Sequence, residues 1–214
     1  MIWAMAAKIR VACVGDSITY GYGVPQRRTH GWPGVLQRLL GNGYRVENFG
    51  YSGATMLKNG NLPYWKTPDF EAATKFDPNI VIIMLGTNDT KPVNWTQYGS
   101  QFTADAEAMM RHFSHLTAHA KVYICTPPPI IHSNYGISEA MLAGGPIPDV
   151  RKAGRAMHIS VIPIHADLSR FFETHGSQAY YQADGVHPNA AGQKRIAQII
   201  FQSLRSVPPE PRKP

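Results

Sequence analysis

Five short apolar runs punctuate the chain, at residues 8–15, 44–50, 79–86, 121–127 and 160–165. Several are apolar almost throughout rather than alternating with polar positions, as in strands covered on both faces. The stretches between them carry a helical period. Residues 31–41 open on Gly-Trp-Pro and stop at Gly41, a start and a stop of the expected kinds. Residues 96–119 place Phe102, Ala106, Met109, Met110, Phe113 and Leu116 on one face; residues 188–205 do the same with Ile196, Ile199, Ile200 and Leu204 behind Pro188. A further helical stretch, 138–157, is interrupted by Gly-Gly-Pro-Ile-Pro. Strands alternating with helices predict a three-layer α/β/α sandwich, flavodoxin-like, around a central parallel sheet of about five strands. For 214 residues that is one domain, expected over 8–206. An N-terminal extension over 1–7 and a flexible proline-rich tail over 207–214 are expected to flank it.

In such a sheet ligands bind beyond the carboxyl ends of the strands. The first run leads into Gly15-Asp16-Ser17, the second into a loop containing Gly53, and the third into Gly86-Thr87-Asn88-Asp89. Asp184-Gly185-Val186-His187 precedes the last helix. Each segment alone reads as a turn. Together they hold every part of an acyl transfer. Ser17 can attack an acyl carbon if a base takes its proton, and His187 can be that base. Asp184, three residues earlier, can accept the imidazole Nδ1 hydrogen and fix the tautomer. The backbone N–H groups of Ser17 and Gly53 and the side-chain amide of Asn88 are candidate donors to an oxyanion. Gly53 suits that place because a missing Cβ allows close backbone approach. Asp89 reads as a hydrogen-bond partner of nearby backbone.

The four blocks, in this order, resemble the motif blocks of the SGNH (GDSL) hydrolases, over residues 10 to about 200. Ile18 stands where the family nickname has Leu. The resemblance implies a catalytic triad of Ser17, Asp184 and His187 and an oxyanion hole from Ser17, Gly53 and Asn88. It implies no metal and no cofactor. The long segment 126–153, with 9–24 and 47–55, is similar to the branch containing sialate O-acetylesterase-like and acetylxylan-esterase-like proteins. That branch implies a serine esterase acting on short, acetyl-type esters, with a small-molecule or carbohydrate ester as partner. A lysophospholipase, a thioesterase, an acyltransferase or a non-catalytic carbohydrate-binding protein are the alternatives on the same residues. No G-x-S-x-G elbow is present, so the larger α/β-hydrolase fold is not indicated.

Trp32, Trp65 and Trp95 each follow one of the blocks, which suggests that they crowd around Ser17 as substrate contacts. Asp16, beside the nucleophile, joins them as a candidate contact, and its charge argues against a phosphate-bearing cofactor in that loop. The Pro- and Gly-rich segment 126–153 reads as a binding loop rather than a core element. His112, His115 and His119 have helical spacing but no carboxylate or cysteine in register, so they read as a polar stripe rather than a metal site. The net charge is +7. Its basic residues are scattered, without the clustered basic and aromatic pattern of nucleic-acid binding. No run approaches the roughly 18 apolar residues of a membrane span. Cys13 and Cys125 read as small core residues. The opening Met-Ile-Trp-Ala-Met-Ala-Ala is too short for a complete signal peptide, and Lys8 and Arg10 follow it. Compartment and oligomeric state stay unspecified, and export of a longer precursor fits as well.

Overall fold

The computed structural model describes residues 7–206. The tail expected over 207–214, and all but the last residue of the expected extension over 1–7, lie outside the described residues. Five parallel strands, β1 (Ile9–Gly15), β2 (Tyr44–Gly50), β3 (Ile80–Met84), β4 (Lys121–Cys125) and β5 (Ser160–Ile162), lie in the order β2-β1-β3-β4-β5. Because successive side chains point to opposite faces, the apolar runs divide between two layers. Ala12, Val14, Val81, Ile83 and Ile124 face one side. There they pack under α4 (Pro68–Phe76), α6 (Phe102–Ser114) and α8 (Pro146–Ala156). Val11, Cys13, Ile82, Met84 and Cys125 face the other. Their cover is α3 (Trp32–Leu40), α9 (Ile164–His175) and α10 (Ala190–Ser206). The fold is the three-layer α/β/α sandwich. Both cysteines are buried and free. No helix among the described residues is long and apolar enough to cross a membrane.

Several boundaries move, each for a local reason. Strand β5 stops at Ile162 rather than 165 because Pro163 has no N–H for the ladder. Ile164 and His165 instead begin α9, a helix that the apolar pattern does not announce. α4 is equally unannounced, since Ala73 is its single fully buried residue. The helix expected over 96–119 is two: α5 (Pro92–Tyr98) and α6, joined through Gly99. A Cβ on Gly99 would lie 2.9 Å from the Trp95 indole. The segment 126–153 is a binding loop only in its first half. Its second half forms α7 (Glu139–Gly144) and α8, and Val150 and Ala153 of α8 are fully buried against the sheet.

Candidate active site

The strand order makes β1 the switch point: the chain leaves β1 for β2 on one side and returns to β3 on the other. The loops after β1 and β3 therefore diverge and leave a crevice at their carboxyl ends. Gly15 ends β1 where no side chain fits, since a Cβ there would lie 2.6 Å from the Met84 carbonyl oxygen and collide with Thr19. Asp16 then caps the short helix α1 (Ser17–Tyr20), its Oδ1 accepting the Ile18 N–H at 2.9 Å. Ser17 is thus the first residue of that helix, at the rim of the crevice and 8% exposed.

Ser17 Oγ lies 2.9 Å from His187 Nε2, across 170 residues of sequence. His187 Nδ1 lies 2.6 Å from Asp184 Oδ2. The other carboxylate oxygen, Oδ1, accepts the backbone N–H groups of Val186 and His187, both at 2.9 Å. Partial burial by itself would raise the Asp184 pKa. The hydrogen bonds from the His187 backbone and ring and from Val186, with the histidine charge, outweigh it and hold the carboxyl below its usual value. An ionised Asp184 keeps the ring proton on Nδ1, which leaves Nε2 free to accept from the serine hydroxyl.

The second wall of the crevice is the loop after β2. Tyr51 donates its N–H to the Gly15 carbonyl at 2.9 Å, and the Ala54 N–H closes a turn onto Tyr51 at 3.1 Å. Gly53 sits inside that turn at φ +84°, a conformation that favours glycine. Asn88 Nδ2 donates to the Ala54 carbonyl at 3.2 Å, which brings its amide to the Gly53 turn. Asn94 Nδ2 in turn holds the Asn88 carbonyl at 2.8 Å. Asp89, fully buried, is bonded to backbone, as expected, and its principal donors come from the loop after β2. Its two oxygens accept the N–H groups of Leu57 and Met56 at 2.8 and 3.0 Å, stitching the β2 and β3 loops together. Burial pushes Asp89 up to about 7, against those two donors. Asp16 is likewise pushed up to about 6 by burial, against the Ile18 N–H and the nearby His187.

The structure brings Ser17, His187 and Asp184 into one hydrogen-bonded run, and Gly53 and Asn88 onto adjoining loops. It does not bring the other candidates to the cleft. Asp16 is 1% exposed and turned inward as a helix cap. Trp32 is fully buried in the core beneath α3. Trp65 donates Nε1 to the Met56 carbonyl at 3.0 Å and lines a separate cavity with Lys58 and His112. Trp95 packs on Phe102 and over Gly99 and Gly145. The aromatic rings beside His187 are tyrosines instead, Tyr22 at 4.8 Å and Tyr135 at 6.1 Å between centroids. The sequence signal for both was an aromatic beside glycine outside the apolar runs: Gly21-Tyr22-Gly23 and Tyr135-Gly136. Tyr135 reaches the histidine because its loop is tied to the turn that carries it. Ile131 N–H donates to the Gly185 carbonyl at 2.8 Å, and Ile130, Ile137, Leu142, Ile147 and Val186 form a small core beneath.

Residues 13–195 match the model of the GDSL-like lipase/acylhydrolase family, and the chain belongs to that family. It is 36% identical over 214 residues to an acetylxylan esterase of Xylanibacter ruminicola, an alignment covering 92% of this chain and 43% of that protein. The chain thus spans less than half the length of that relative. It is 28% identical to esterase TesA of Pseudomonas aeruginosa, over 97% of this chain and 93% of the relative. Among solved structures, an acetylxylan esterase from Geobacillus stearothermophilus superposes with a TM-score of 0.71 at 20% identity, covering 92% of this chain and 94% of that one.

Proposed function

We propose that this chain is a serine esterase that removes short acyl groups, acetyl first among them, from a carbohydrate by way of an acyl-enzyme. The observation that carries the reading is the run Ser17 Oγ to His187 Nε2 and His187 Nδ1 to Asp184 Oδ2, at 2.9 and 2.6 Å. His187 takes the serine proton as Oγ attacks the ester carbonyl, and Asp184 stabilises the imidazolium that forms. The N–H groups of Ser17 and Gly53 and the Asn88 amide receive the charge on the carbonyl oxygen. Collapse breaks the bond to the sugar oxygen, which leaves with the proton from His187. Water, deprotonated by the same histidine, then releases the acid and restores Ser17.

The carbohydrate half of the reading is supported by the likeness to acetylxylan esterases and by the polar, tyrosine-flanked rim around His187. Its test is a panel of acetylated xylo-oligosaccharides and aryl esters of rising acyl length, run beside Ser17→Ala and His187→Ala. Acetyl to butyryl esters should turn over faster than octanoyl. Each variant should lose several orders of magnitude in kcat, and the double variant little more, because the residues act as a unit. Near-normal turnover by a folded Ser17→Ala protein would remove the mechanism. A rate rising with acyl length would move the substrate to a lysophospholipid or thioester.

A further inference from the structure

A cavity of about 990 Å³ opens along the carboxyl end of β2, the edge strand of the sheet. Tyr22 and Ser52 are among its lining residues. Tyr22 is the ring 4.8 Å from His187, and Ser52 precedes Gly53. The cavity therefore adjoins the candidate nucleophile's crevice. Three arginines contribute to its lining. Arg27 and Arg28 of the short helix α2 (Arg27–His30) and Arg38 of α3 all line it. The Arg27 guanidinium sits over the Tyr20 ring, 4.1 Å from its centroid, and Arg38 donates to the Thr29 carbonyl at 2.6 Å. None of the three is ion-paired to a carboxylate among the described residues. The same lining carries two acids, Glu47, paired with Arg45 at 2.9 Å, and Asp69 of α4, and neither is within ion-pair distance of the three arginines.

We propose that this cavity is a subsite for an anionic sugar, a uronate, carried by the esterified carbohydrate. The inference rests on the esterase reading and deepens it. Guanidinium groups recognise planar carboxylates through paired N–H donors. Tyr22 and Tyr51 line the same cavity, and the apolar C–H patches of a pyranose pack on aromatic rings. A neutral chain would leave three guanidinium groups unused. A substrate with a carboxylate on a sugar near the ester brings that carboxylate to them.

The test compares an acetylated, uronate-bearing oligosaccharide with the same oligosaccharide after chemical reduction of its carboxyl group to an alcohol. Wild-type protein should prefer the acidic form by about threefold to tenfold in kcat/KM, as exposed ion pairs allow. The preference should fade as salt rises. Arg28→Gln and the double variant Arg28→Gln/Arg38→Gln should erase it stepwise. The deacetylated acidic oligosaccharide, titrated calorimetrically into Ser17→Ala protein, gives a readout independent of turnover. It should bind more weakly once Arg28 is replaced as well. Equal rates and equal binding for acidic and reduced forms would overturn the subsite. Failure of the esterase reading looks different: wild-type protein would hydrolyse neither form, while the calorimetric contrast still decides the subsite.

Discussion

Asp184→Asn separates what the carboxylate does for the turn from what it does for the imidazole. Oδ1 accepts two backbone N–H groups at 2.9 Å each, while Oδ2 faces His187 Nδ1 at 2.6 Å. An asparagine keeps the turn only if its carbonyl oxygen takes the Oδ1 place. The flipped amide would leave two backbone donors unpaired, at about 1–3 kcal/mol each. The NH₂ group is thereby forced towards Nδ1 and donates to it, so the ring proton moves to Nε2. A protonated Nε2 donates to Ser17 Oγ and takes no proton from it. The expected loss is about 10⁴-fold in kcat, the scale seen where an equivalent carboxylate is replaced in other serine hydrolases, or about 5.4 kcal/mol of barrier at 1.36 kcal/mol per tenfold. Turnover of p-nitrophenyl acetate measures it, with thermal melting as the fold control. The melting temperature should hold in Asp184→Asn and fall in Asp184→Ala, which loses both turn bonds. Folded Asp184→Asn protein within tenfold of wild-type kcat would refute the tautomer reasoning.

Two further outcomes follow from the loops that face the triad. Asn88→Ala removes a candidate oxyanion donor and should lower kcat by about 10²- to 10³-fold with little change in KM; a loss below tenfold contradicts that role. Asp16 and Asp89 are raised from the ordinary 3.8 to about 6 and about 7, so the folded chain holds protons that the unfolded chain has released. Their contribution to stability is full below pH 3.8 and disappears as pH rises through 6 and 7. Asp184, held low, acts in the opposite sense and loses its contribution as pH falls through its folded value. Asp89→Asn should therefore shrink the fall in melting temperature between pH 5 and pH 8; an unchanged slope speaks against a buried, protonatable Asp89.

Much of the layer structure could be read from the apolar runs. Strands β1, β3 and β4 are covered on both faces and left unbroken hydrophobic segments. The elements that the pattern concealed bury little. α4 places only Ala73 fully inside, and α9 only Ile164 and Leu168. The blocks at the ends of β1 and β2 were legible for a related reason: Gly15 has no room for a side chain and Gly53 takes a positive φ. Substrate contacts carry no such restriction. An indole serves equally well to fill a core, as Trp32 does, or to line a cleft, so its place after a motif block says little about where its ring points. Asp89 does bond to backbone, but its partners were not legible, since they lie 32 and 33 residues away at Leu57 and Met56.

The most direct measurement is covalent capture of the proposed nucleophile. Wild-type protein, treated with a fluorophosphonate and digested, should carry the adduct on the peptide containing Ser17. His187→Ala protein should label far more slowly, since the base has gone. An adduct on another serine, or Ser17 labelling at an undiminished rate without His187, would contradict a hydroxyl activated by that imidazole.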